Sequence, residues 1–246
     1  MKLEPEAALE KISSALTALY GDRLQCLVAY GSAAGGNHRH RRSDINLLAV
    51  LDDVDAATLD AAASTLLWWR QQGNPPVVML SRAEQEHSPD VFPIEYLDIQ
   101  SHHRLLHGED LFVQPVRPDL HRHQIEHELR GKLLRLRAAY LALGQDAKGL
   151  EAVMLDSVNA FLTLFRHALV GLGEPFVVHK DHVLAAAAAR FQFSPAPFAA
   201  ILEARSQGRR IGADKLDAVR ALFADYLAAI QQVERVLEQA HAQSPV

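Results

Sequence analysis

Two oxygen-bearing side chains stand two residues apart in Ser43-Asp44-Ile45-Asn46-Leu47-Leu48-Ala49-Val50-Leu51. Residues two apart on an extended strand point to one face, so Asp44 and Asn46 can both reach a single ion. Their hard oxygens suit magnesium. Asn46, however, offers an oxygen without a charge. At an effective dielectric near 20, one charge pair at contact is worth roughly 4 kcal/mol before desolvation. An Asp-x-Asn pair should therefore hold a cation more weakly than two carboxylates would. Upstream, Leu27-Val28-Ala29-Tyr30 runs into Gly31-Ser32, and eleven residues then separate Ser32 from Asp44. That interval contains Asn37-His38-Arg39-His40-Arg41-Arg42. Guanidinium groups such as those of Arg39, Arg41 and Arg42 pair phosphates bidentately without a metal.

The elements that must position these residues can be read from periodicity. Ala8, Ile12, Leu16 and Leu19 recur at helical spacing over 6–20, with Gly21 as the stop. Leu24–Tyr30 reads as a buried strand, and Gly31 to Gly36 as a turn leading into a short helix. Asp44–Leu51 is a second strand and 56–72 a helix, broken by Gly73-Asn74-Pro75-Pro76. Val77–Leu80 is a third strand, after which Ser81 caps a helix over 82–87. Pro93 opens a further helix through Ile99, and 105–112 is a last strand and turn. Alternating strands and helices argue for a sheet with helices packed against it.

Beyond Pro115 and Pro118 only helical stripes remain. They run over 125–143, 150–169, 182–191, 197–205 and 216–237, and they read as core faces of a bundle. The expected division is thus 1–115, an α/β (α+β) head with a mixed sheet, and 116–246, an all-helical bundle. His123 and His127 stand four apart beside His121, as a zinc pair would, but lack a third ligand and a zincin glutamate. Arg122 and His127 also fit the Arg-x4-His pattern of HEPN-type ribonucleases.

Composition limits the function classes. The net charge is −5. Residues 1–115 hold 9 Lys+Arg against 16 Asp+Glu, a balance of −7, and residues 116–246 hold 16 against 14, or +2. Neither half carries the bulk positive charge of a nucleic-acid binder. The longest unbroken apolar run, Val183 to Ala189, is too short to cross a bilayer, so no membrane partner is expected. The first six residues show no apolar leader core. The single cysteine, Cys26, excludes an internal disulfide and reads as a buried structural thiol. Cytoplasmic residence is the expectation, with homodimerisation left open.

The Gly31-Ser32 turn followed by Asp44-x-Asn46 resembles the signature of the nucleotidyltransferase fold of DNA polymerase beta-like enzymes. The order of head and bundle resembles the kanamycin-type aminoglycoside nucleotidyltransferases. The resemblance implies Gly31 and Ser32 at nucleotide phosphates, with Arg39, Arg41 and Arg42 in the loop facing them. It also implies Asp44 and Asn46 at magnesium, and a nucleoside triphosphate as the second cofactor of an active enzyme. A general base would come from the first bundle helix, at Glu126 or Glu128. The strand that supplies a third acid in that family, Pro76–Leu80 here, has no carboxylate, and Glu95 or Asp98 could substitute only by folding back. The expectation is a nucleotidyltransferase-like protein with a degenerate magnesium site, binding a nucleotide or phosphate ligand in the cleft between domains. The alternative is an active enzyme adenylylating a small hydroxylated acceptor, and a third reading is a toxin–antitoxin component. The acceptor itself cannot be read from these residues.

Overall fold

The computed structural model describes residues 3–31, 45–211 and 215–242. The chain divides into two compact units, Met1–His121 and Arg122–Val246.

The first unit opens with α1 (Pro5–Tyr20), which enters on Pro5 and stops at Gly21. A short 3-10 turn leads into β1 (Leu24–Tyr30), and β2 (Asn46–Leu51) follows. Next come α2 (Ala56–Gln71), β3 (Val78–Ser81), α3 (Arg82–Val91), α4 (Pro93–Ser101) and β4 (His103–Gly108). The strand order is β3-β2-β1-β4. β1 pairs antiparallel with β2 and β4, while β2 and β3 run parallel, so the sheet is mixed.

Side-chain alternation sends each strand into two cores. On one face, Leu27, Ala29, Leu47, Ala49 and Leu51 pack under α1 and α2, against Ile12, Leu16 and Trp69. On the other, Cys26, Val28, Leu48 and Val50 pack with Tyr96 and Ile99 of α4 and with Leu111 and Phe112. The Cys26 thiol is buried, and burial pushes its pKa up to about 11, which suits a structural role and not a nucleophile. Gln85 and Tyr96 both donate to the Leu111 carbonyl, tying α3 and α4 to the segment after β4.

Two sequence expectations need correction. The helix expected over 82–87 continues through Pro89 to Val91. Proline removes one backbone donor near the C-terminal end, and the Ser81–Glu84 capping box already fixes the start. The last strand begins at His103 and ends at Gly108, ahead of the expected turn. Gly108 has φ +78, and a Cβ there would lie 1.9 Å from the Gln25 carbonyl oxygen.

After Gly108 every described element is a helix: α5 (Pro118–Leu143), α6 (Ala147–Gly171), α7 (Lys180–Phe191), α8 (Ala196–Gln207) and α9 (Leu216–Ala242). In the second unit Phe161, Phe165, Phe198 and Tyr226 form the aromatic centre, with Phe198 and Tyr226 rings 4.7 Å apart. Buried Glu151 accepts from Ile211 N–H and Arg210, pinning the approach to α9 onto α6. By length and composition alone, α6 is long and apolar enough to cross a membrane. Here its apolar stripe, Leu150 to Leu169, is core of the bundle.

Two stability outcomes follow. Trp69 is fully buried with its indole N–H on the Pro75 carbonyl at 3.0 Å. Trp69→Ala should cost about 3–5 kcal/mol by urea unfolding, as large aromatic truncations do. Gly21 and Gly108 both have positive φ, yet a Cβ at Gly21 meets nothing within 4 Å. Gly21→Ala should therefore cost only backbone strain, about 1–3 kcal/mol, and Gly108→Ala clearly more; equal losses would show that the Gln25 contact relaxes freely.

Candidate functional site

The site-bearing end of the sheet is set by one register. Tyr30, the last residue of β1, pairs with Asn46 on β2 and with His103 on β4. Directly paired residues share a face. Asn46, Tyr30 and His103 therefore form a row across three strands, on the face that carries Val28, Leu48 and Val50. α4 covers that face through Tyr96 and Ile99.

Gly31 follows at φ +81, and a Cβ there would lie 2.8 Å from the Asn46 amide nitrogen. Glycine is needed twice over, for the left-handed backbone and for the approach of the Asn46 side chain. The structure thus brings together two of the sequence-derived residues, Gly31 and Asn46. Ser32, Arg39, Arg41, Arg42, Asp44 and the short helix expected after Gly31 lie outside the described residues. The start of β2 is held by Ile45 N–H donating to Asn74 at 3.3 Å.

The surroundings of that row are partly ionic. His103 is tied at both ring nitrogens, Nδ1 to the Ile99 carbonyl at 2.8 Å and Nε2 to Asp110 at 3.1 Å. Asp110 also accepts from Phe112 N–H, so these groups fasten β4 to α4 and to the loop beyond it. The Tyr30 phenol has its pKa raised, first by burial and then by the negative charge of Glu95 on α4. α4 therefore brings a carboxylate within electrostatic reach of the row. β3, the strand adjoining β2, carries none, as its residues Val78-Met79-Leu80-Ser81 show.

These donors can be matched against magnesium. Among the described residues no three or more His, Cys, Asp or Glu gather into a metal group. Magnesium keeps several waters and takes only one or two protein carboxylates besides phosphate oxygens. The carboxamide oxygen at Asn46 is a hard donor of the kind that such a cation takes. It does not fit zinc, and His123 and His127 are exposed on α5 without a third partner among the described residues.

In the second unit Glu128 pairs with Lys132 one turn along α5, at 3.2 Å. A cationic group that the sequence reading passed over lies elsewhere in that unit. Lys180 donates to Asn159 at 2.9 Å, Arg166 to the Val178 carbonyl at 3.4 Å, and Arg205 to the Leu155 carbonyl. Burial, then the charges of Arg205 and Arg166, lower the Lys180 pKa. Three cations on α6, α7 and α8 are thus close enough to oppose one another. Their only sequence signal is that Lys180 opens one short helix and Arg205 lies near the end of the next.

No protein-family model matches the chain, and no curated protein matches it. Among solved structures it is similar to spectinomycin adenyltransferase AAD(9) from Enterococcus faecialis, solved with ATP and spectinomycin. The TM-score is 0.58 at 15% identity, over 92% of this chain and 99% of that one. A likeness at that identity carries the fold alone, and the fold is a nucleotidyltransferase head followed by a helical domain.

Proposed function

We propose that the chain is a nucleotidyltransferase-like protein that binds a nucleoside triphosphate or a related phosphate ligand with a weakened magnesium site. The observation that carries this reading is the packing of Gly31 against Asn46 at the end of β1 and β2. The turn is the one at which the nucleotidyltransferase resemblance implies phosphates, and the residue beside it is a neutral amide. In this reading Gly31 and Ser32 present backbone N–H groups to the phosphates, which small residues permit by close approach. Arg39, Arg41 and Arg42 pair phosphate oxygens, and Asp44 with Asn46 orient the ligand. Magnesium, when bound by Asp44 and Asn46, would offset charge on the phosphates.

A second reading is favoured by the structural neighbour, an adenyltransferase solved with ATP and a small substrate. In it the chain is active, adenylylating a hydroxylated small molecule, with Glu128 as the general base. Release of Glu128 from Lys132 would then be required. Adenylylated product from ATP and spectinomycin or a panel of other hydroxylated small molecules would establish it.

The degenerate-site reading is tested at Asn46. Asn46→Asp, nearly isosteric, restores the missing charge. By calorimetric titration, magnesium-dependent ATP affinity should rise about tenfold, well inside the ~4 kcal/mol of one contact pair before desolvation. Equal or weaker affinity would overturn the weakened-site account.

The cations are tested separately. Replacing Arg39, Arg41 and Arg42 together with Gln should weaken ATP binding and flatten its salt dependence. Unchanged affinity would remove these arginines from the site.

A further inference from the structure

α2 gives Ala62 and Trp69 to the core it shares with α1, yet its outer side is apolar as well. Leu59, Ala63 and Leu67 stand four residues apart and form one stripe along the helix. All three are exposed, Leu59 at 47% and Leu67 at 55%. Surface helices ordinarily carry a charged face opposite the core. Of the 16 residues of α2 only Asp60 and Arg70 are charged. Both are exposed and border the stripe, the acid toward its amino end and the base at its carboxyl end. Among the described residues neither side chain has an ion-pair partner.

We propose that this face of α2 docks on the same face of a second copy of the chain, with the two helices antiparallel about a two-fold axis at Ala63. Under that symmetry Leu59 of each copy opposes Leu67 of the other, because both lie four residues from the axis. Alanine at the crossing lets the helix axes approach to the usual packing distance of about 8–10 Å. Antiparallel docking also sets the acidic end of each helix beside the basic end of the other, and it opposes the two helix dipoles. The pattern is complementary to itself, as an isologous interface must be. A partner with a uniformly acidic or basic surface would match only one end. A helix of this length spans about 24 Å. The contact therefore falls at the small end of specific interfaces, and the dimer is a concentration-dependent one. α2 covers the sheet face away from the row Asn46–Tyr30–His103, so docking leaves that row uncovered by the second copy.

Sedimentation velocity on the full chain, over a wide range of concentration, tests the docking. The parent should pass from the 27.2 kDa monomer to a dimer as concentration rises. Leu67→Glu should weaken the dimer about tenfold or more, as loss of a central anchor does. Leu134→Glu alters a leucine that is 57% exposed on α5 and should leave association unchanged. Asp60→Arg and Arg70→Asp, each made alone, bring like charges together and should weaken the dimer; combined in one chain, they should restore it. All the substituted side chains are exposed, and unchanged unfolding midpoints separate lost docking from lost folding. A dimer indifferent to Leu67→Glu, or charge reversals without rescue, overturns the antiparallel docking. So does a parent that stays monomeric, including one that floats with phosphatidylcholine vesicles, which would assign the face to a lipid surface.

Discussion

β1 is committed on both faces and along both edges. Leu27 and Ala29 face α1 and α2, Cys26 and Val28 face α4, and the two edges are taken by β2 and β4. A strand so placed cannot slip by one residue without turning every side chain into the wrong core. That constraint fixes where Tyr30 ends and therefore where Gly31 turns. It also places Asn46 and His103 opposite Tyr30, from either side. The chemistry at the sheet end is thus a consequence of packing in its middle.

Charge in the head is arranged against its proposed ligand. Residues 1–115 carry 16 acids against 9 bases, an inhospitable field for a phosphate. Local cations must overcome it, because exposed charges beyond about 10 Å are largely screened at 0.1 M salt. The concentration of arginine at 39, 41 and 42 has physical sense in that setting, whereas the same residues scattered would do little. In the proposed site an amide in place of an acid at position 46 would spare one repulsion and withhold one charged ligand together. Its effect on a bare anion and on a metal-bridged anion is therefore opposite in sign.

Much of this was legible in the residues. The apolar run Cys26–Tyr30 declared a doubly buried strand, and the bundle helices declared themselves by 3.6-residue stripes, because local burial pattern is what periodicity records. Gly31 with Asn46 was legible as a motif. Pro89 misled the reading of α3, since a proline near a helix end removes little when a capping box has fixed the start. The grouping of Lys180, Arg166 and Arg205 was not legible. Their proximity arises from tertiary contacts across tens of residues, and no spacing rule encodes those.

The outer edge of β1 is closed by β4, whose residues 103–108 follow it by more than seventy positions. During synthesis β1 and β2 therefore emerge and pair well before their neighbour exists. For that interval an apolar strand presents unpaired amides and carbonyls along one side, the template on which a second nascent chain could dock. The slow closure of this long-range pair also raises the contact order of the head above that of a bundle built from adjacent helices. Gly108, seated on the Gln25 carbonyl where no side chain fits, is the last residue laid along that edge. It acts as the clasp of a seam, and a chain ending before it would leave the ribosome with its most aggregation-prone border open.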